Sequence, residues 1–398
     1  MKRMLWVMLM MAFGATFTSP LFPLYQEHFH LTSLEITLLF AAYAVCLLPS
    51  LLIVGSKGKS WGLRKVLLTS VLLSLVATFL FMFANQAWML YAARMLEGIA
   101  YGAFTGASAA FLFLKSPAEK KGLALTLLGV TILVGFGLGP AISGLMIQYA
   151  GYQPLRLPFV LLSVLLISAL IALFTLTEDS SAKEGIASPK ITLGIPKEIS
   201  PHFWSFIGLS IFMVFTLNGI VLSLIPSFTK NVIHSSNLSV SGLLILLLLG
   251  GGAIAQMVRN PRNEMTRIRI GLIMLLIGSC FTVLSGETGK LSLLWIGIFI
   301  EAIGGGWTFQ VSLRLAGNLP KPEERAQVIS TYYLAGYSGF IVPIVGVGGL
   351  TLFFSLNTAL IVLNVLGALV IIYILAYSTR FQKYYAKHKD KLLYTSTR

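Results

Sequence analysis

Leu96-Glu97-Gly98-Ile99-Ala100-Tyr101-Gly102 and Ile300-Glu301-Ala302-Ile303-Gly304-Gly305-Gly306 each bury one glutamate in an otherwise uncharged apolar run. The two acids lie 204 residues apart, about half of the 398-residue chain. A carboxylate in hydrocarbon costs about 2.5–3.5 kcal/mol on insertion scales, so it normally faces a bundle interior or a wet cavity. A pair at matching places in two halves implies an internal duplication around a central polar path that responds to protons.

The rest of the chain fits a membrane. It is 56% hydrophobic and 11% charged, with a mean hydropathy of +0.85. Soluble domains carry about 25% charged residues. The apolar runs are long and do not alternate, which points to helices and away from a barrel. Twelve spans are expected, near 4–25, 34–54, 66–84, 87–114, 122–147, 155–176, 203–229, 239–258, 268–285, 291–317, 326–350 and 357–378. The fold class expected is thus an all-α integral membrane protein of two pseudo-symmetric six-helix bundles. The first span follows Lys2-Arg3 like a secretory leader, but its apolar run passes 20 residues without a small-residue cleavage site, so it reads as retained.

The formal net charge of +15 does not point to nucleic acid. Arg156, Lys230 and Lys290 fall on the outer side, and Arg94 and Arg314 lie within helices. The other Lys and Arg residues fall on one side, at the termini and the 2–3, 4–5, 6–7, 8–9 and 10–11 connections. That bias puts both termini in the cytoplasm of a plasma-membrane protein. The positive charge then serves topology and attraction to anionic lipid headgroups, most densely in the tail at 379–398. Cys46 and Cys280 lie in different halves and support neither a disulfide framework nor a metal cluster.

The duplication can be followed residue by residue. Leu21-Phe22-Pro23 pairs with Leu224-Ile225-Pro226, Leu96-Glu97 with Ile300-Glu301, and Pro117-Ala118-Glu119-Lys120 with Pro322-Glu323-Glu324-Arg325. Three matches in one register mark a repeat. The halves are expected at 1–176 and 203–378, joined by a polar cytoplasmic linker at 177–202. Glycines crowd spans 4, 5, 8, 10 and 11, where they let helices approach closely.

Three stretches carry a resemblance. The 2–3 connection, Gly55-Ser56-Lys57-Gly58-Lys59-Ser60-Trp61-Gly62-Leu63-Arg64-Lys65, keeps Gly55, Gly62, Arg64 and Lys65 of a G-x-x-x-D-R-x-G-R-K signature but has Lys59 and Ser60 at its acid and first Arg. Span 4 holds Arg94, Gly98 and Gly102 in an R-x-x-x-G-x-x-x-G arrangement, with Glu97 one turn from Arg94. Span 5 holds Gly135-Phe136-Gly137-Leu138-Gly139-Pro140-Ala141-Ile142-Ser143-Gly144. Together they resemble the major facilitator superfamily, and the span-5 stretch is similar to the G-x-x-x-G-P-x-x-x-G motif of its antiporter branches. The resemblance implies proton-coupled export of a small organic molecule by alternating access. The charge latch associated with the 2–3 motif is not carried over to Lys59.

On this reading Arg94, Glu97 and Glu301 couple protons. Glu301 has Ile298 where Glu97 has Arg94, so it is expected to take up a proton more readily than Glu97. Gly135, Gly139, Pro140 and Gly144 are expected to form a bendable gate, because proline removes a backbone bond and glycine permits the bend. Arg94, Glu301, Tyr43, Asn218, Trp307, Gln310 and Tyr337 are expected to line the substrate path, together with Tyr332 and Tyr333. Thr32 and Glu35 fit a helix capping box. Glu27, His28 and His30 read as an exposed outer loop.

The chain lacks a phosphate-binding loop and the clustered His, Asp or Ser of a membrane enzyme, so ATP-driven pumping and catalysis are not expected. No cofactor is expected, and the functional unit is expected to be a monomer. Two alternatives stay open: export of a zwitterionic or anionic metallophore or siderophore-type metabolite, and proton-coupled uptake by symport.

Overall fold

In hydrocarbon a chain can satisfy its N–H and C=O groups only within the segment, so apolar runs of this length become helices. The computed structural model describes residues 2–115, 121–175, 193–258 and 263–396. They form α1 (Lys2–Thr16), α2 (Phe22–Phe29), α3 (Ser33–Trp61), α4 (Leu63–Met82), α5 (Ala87–Lys115), α6 (Lys121–Tyr149) and α7 (Leu157–Phe174). After them come α8 (Ser200–His202), α9 (Leu209–Ser223), α10 (Ile225–Asn231), α11 (Ser239–Met257), α12 (Glu264–Thr288), α13 (Leu291–Asn318), α14 (Arg325–Leu350) and α15 (Leu356–Ser396). There is no strand among the described residues. Eleven described segments are long and apolar enough to cross a membrane. The 29-residue α5, which carries Arg94 and Glu97, is as long as these. Most of the expected linker and the Pro117-Ala118-Glu119-Lys120 stretch lie outside the described residues.

Several boundaries depart from the expected spans. The first span is not one rod: it breaks between α1 and α2 through a tight turn, Ser19–Leu21. The seventh breaks between α9 and α10 at Leu224. Each new segment starts with a proline in its first turn, Pro23 or Pro226, where the missing N–H costs nothing. The paired prolines that mark the repeat thus mark two matching breaks. Glu27 and His28 accordingly lie on α2 and not in a loop. The seventh span also begins with a π-turn over Phe203–Gly208.

Two helices are longer than expected. α3 runs through the basic stretch to Trp61, so its connection to α4 is Gly62 alone. Gly62 has φ +88°, a conformation that favours glycine. α15 continues beyond the membrane stretch to Ser396, so the basic tail starts as helix. At the start of α3 the capping box is complete: Thr32 N–H donates to Glu35 Oε2 at 2.7 Å, and Glu35 N–H donates to Thr32 Oγ1 at 3.2 Å.

Contacts divide the chain into two compact units. The first comprises Met1–Ile191 with Val221–Gly250. Within it α1 packs on α6, α3 on α5, and α4 on α5 and α7. Gly98 and Gly102 lie against the carbonyls of Tyr43 and Leu47 with no room for a side chain. Val221–Gly250 joins this unit because Gly242 of α11 lies flat on Pro140 O of α6, and α10 packs on α2. There Lys230 pairs with Glu27 at 2.5 Å, and Ser227 donates to Gln26.

The second unit comprises Thr192–Ile220 with Gly251–Arg398. Within it α12 packs on α13 and α15, and α13 on α14. Its internal contacts repeat those of the first unit. Gly306 lies against Gly252 O as Gly102 lies against Leu47 O. Arg269 donates to Ser378 Oγ at 2.8 Å, while Arg64 donates to Phe174 O at 2.9 Å. Thr282 bonds back to Gly278 O as Thr78 does to Ser74 O. These pairs are related by shifts of 204 or 205 residues, the same register that relates the two glutamates.

Candidate functional site

Arg94 and Glu97 sit three residues apart on α5, on one helical face. Arg94 is 1% exposed and Glu97 5%. Arg94 Nη1 donates to Glu97 Oε2 at 2.6 Å and to Thr18 Oγ1 at 3.1 Å. Thr18 belongs to the break between α1 and α2, so the interruption of the first span supplies the acceptor. The guanidinium also lies 4.7 Å from the centre of the Tyr43 ring and 5.9 Å from those of Phe22 and Phe40. Aromatic faces are negative and favour a desolvated cation. A buried ion pair survives only with good geometry and further hydrogen bonds, and Thr18 and the rings provide them here.

Glu301 is 3% exposed in the second unit. Its side chain lies against Gly278 of α12, where a Cβ would collide with it. Its Oε1 is 3.5 Å from the Thr282 hydroxyl, and among the described residues it has no ion-pair partner. The repeat therefore places two carboxyls at one register but gives a cation to only one.

The other expected path residues divide by what they touch. Tyr43 joins the Arg94 site. Trp307 Nε1 donates to Ala255 O at 3.1 Å, and Gln310 Nε2 to Gln256 O at 2.7 Å. Both thus satisfy carbonyls in the last turn of α11, which a helix end leaves without partners. Arg267 donates to Gln310 Oε1, which holds that amide in place. Tyr337 is half-buried against Phe215 and Phe340, and Asn218 is half-buried on α9. Tyr332 hydrogen-bonds Ser312 at 2.9 Å and packs edge-on to Tyr333. A small cavity in the second unit lies among Thr216, Ser279, Asn364 and apolar neighbours.

The glycine-proline motif lies on a continuous α6 with Pro140 inside it. Gly135 and Gly139 rest on Leu9 O and Phe13 O of α1, and Gly144 on Ser239 and Gly242 of α11. Pro140 has no N–H, so the carbonyl of Phe136 four residues earlier loses its helical donor. Thr16 Oγ1 replaces that donor at 2.9 Å. In the second unit Pro343 likewise frees Gly339 O, and Thr216 Oγ1 lies 3.3 Å from it while making a shorter hydrogen bond, 2.9 Å, to Phe212 O of its own helix. In the 2–3 motif, Gly62 makes the turn and Arg64 ties to the end of α7, while Gly55 and Lys65 are exposed.

Sequence reading missed Thr18 and Tyr25. The signal available was Pro23, which opens α2 and carries Tyr25 inward. Tyr25 is 1% exposed and stacks on Phe81 with ring centres 6.4 Å apart.

Paired half-repeats of long apolar helices, interrupted at prolines and holding ionisable side chains in their interior, define a multi-pass membrane transporter and not an enzyme. The chain belongs to the Major Facilitator Superfamily, whose model matches residues 4–343. It is 25% identical over 270 residues to Multidrug resistance protein 1 of Bacillus subtilis, covering 66% of this chain and 67% of that one. It is 23% identical over 317 residues to the Staphyloferrin B transporter of Staphylococcus aureus, covering 76% and 74%. In fold it is similar to a bacterial homologue of the human lysosomal transporter Spinster in an inward-facing, unoccupied conformation. The TM-score is 0.75 at 15% identity, with 96% of each chain covered.

Proposed function

We propose that this protein exports a small organic molecule across the plasma membrane by alternating access, in exchange for protons, as a monomer with both termini in the cytoplasm. The observation that carries the reading is the buried Arg94–Glu97 pair at the break in the first span. Protonating Glu97 removes the charge that Arg94 balances. That frees the guanidinium to reorganise against Thr18 and the surrounding rings, which links proton uptake to the shape of the site. Glu301 is the second proton-binding group, held against α12. The glycine face of α6, seated on α1 and α11, supplies close helix contacts that can slide. Similarity to Multidrug resistance protein 1 supports export.

A second reading, export of an anionic or zwitterionic metallophore, draws on similarity to the Staphyloferrin B transporter. It is the weaker one, because the Arg94 charge is already matched by Glu97 and a further anion would be unbalanced. The test is drug-driven proton flux in inverted vesicles that carry the protein. Lipophilic compounds should release an imposed inside-acid gradient, and vesicles with Glu97→Gln should keep it. Equal release by both would remove Glu97 from the coupling.

A further inference from the structure

Two donors beside the ion pair are buried and have no partner: Nε of Arg94 and the hydroxyl of Tyr25. Native proteins leave few buried polar groups unmatched, and those that remain tend to mark a function or a missing ligand. Both side chains are 1% exposed. Phe22, three residues before Tyr25 on α2 and so on the same face, lies 5.9 Å from the Arg94 guanidinium, which brings the Tyr25 side of α2 to the pair. Arg94 Nη1 is already committed to Glu97 and Thr18. What remains is hydrogen-bond donation without net charge, since Glu97 balances the guanidinium. The surroundings are aromatic: Phe22, Phe40 and Tyr43 flank the guanidinium, and Phe81 lies under Tyr25.

A ligand suited to this place offers an acceptor oxygen, carries no net charge at that end, and has a flat apolar body. An anion would add a second negative charge beside Glu97 with no cation to meet it. A cation would meet two donors, neither suited to it, beside a Glu97 charge that Arg94 already balances.

We propose that Tyr25 and Nε of Arg94 form the donor pair that selects the transported molecule by a neutral carbonyl oxygen on an aromatic body. This rests on the transport reading above, which it deepens by naming the substrate class. Tyr25 is then a specificity-determining residue, placed by the Pro23 break.

The test is equilibrium binding to the full chain in nanodiscs, with no pH gradient and with empty nanodiscs as the blank. The probes are 1-acetonaphthone, its hydrocarbon isostere 1-isopropylnaphthalene, 1-naphthoate and tetraphenylphosphonium. A hydrogen bond that includes a charged donor is worth about tenfold or more in affinity. The ketone should therefore bind about tenfold tighter than the hydrocarbon. Tyr25→Phe, which keeps the ring and its stacking, should erase most of that ratio and leave hydrocarbon binding unchanged. Arg94→Lys, which keeps the charge and loses Nε, should lower the ketone-to-hydrocarbon ratio as well. Equal binding of ketone and hydrocarbon, an unchanged ratio in Tyr25→Phe, tighter binding of the naphthoate or the phosphonium, or binding of no probe would each overturn the assignment. Tyr25-dependent ketone binding without any proton flux would leave this site standing and overturn the antiport reading alone.

Discussion

Arg94 and Glu97 test each other. Removing one partner of a buried pair leaves a bare charge and typically costs about 3–5 kcal/mol, whereas replacing both with apolar groups is often neutral. Arg94→Met should therefore lower the unfolding midpoint in detergent sharply. Adding Glu97→Leu should restore most of the loss. Equal midpoints for the single and double variants would show that the pair does not carry stability. Glu97 and Arg94 were legible in the sequence because charged residues stand out in apolar runs. Their surroundings were not: Thr18 and Tyr25 come from a different helix, and no spacing in α5 announces them. Trp307 and Gln310 show the same limit. Both are amphipathic side chains in an apolar span, but their polar atoms meet the end of α11. Which carbonyls a helix end leaves open to a neighbour is a tertiary fact.

At the scale of elements, α6 depends on a hydroxyl from outside itself. Thr16 satisfies the carbonyl that Pro140 strands. An unmatched buried acceptor costs about 1–3 kcal/mol. Thr16→Val should lower stability by about that amount. Thr16→Val with Pro140→Ala should recover it, because alanine returns the helical N–H. An additive double variant in thermal unfolding would break this link. Gly139→Leu should slow turnover more than it weakens substrate binding, since it pushes α6 off Phe13 O. Unchanged turnover in reconstituted transport would remove α6 from gating. The twelve spans were readable from hydropathy, and the motif in α6 from its glycines. The breaks at Ser19–Leu21 and Leu224 were not, although Pro23 and Pro226 were noted as a repeated pair. Hydropathy runs unchanged across both, and only backbone geometry separates a kinked rod from two helices. The continuation of α3 to Trp61 was hidden for the opposite reason. Its last turns are polar and read as a loop, yet they remain helical until Gly62 takes a positive φ.

At the scale of the whole molecule, the repeat runs deeper than its sequence matches. Each unit reuses the same small-residue seams and the same arginine tie at one register, and each sets a threonine near the carbonyl that a helix proline strands. Little of this shows as identity between the halves, because backbone carbonyls make most of these contacts and accept many side chains. The halves differ where function is proposed: Glu97 has an arginine and Glu301 has Thr282. On the proposed mechanism the buried carboxyls exchange protons for an exported molecule. The most direct measurement is substrate-evoked collapse of an inside-acid gradient in inverted vesicles holding the wild-type protein, Glu97→Gln or Glu301→Gln at equal levels. Collapse is expected with the wild type, none or nearly none with Glu97→Gln, and a reduced response with Glu301→Gln. Full collapse with both variants, at the wild-type pH dependence, would contradict the mechanism.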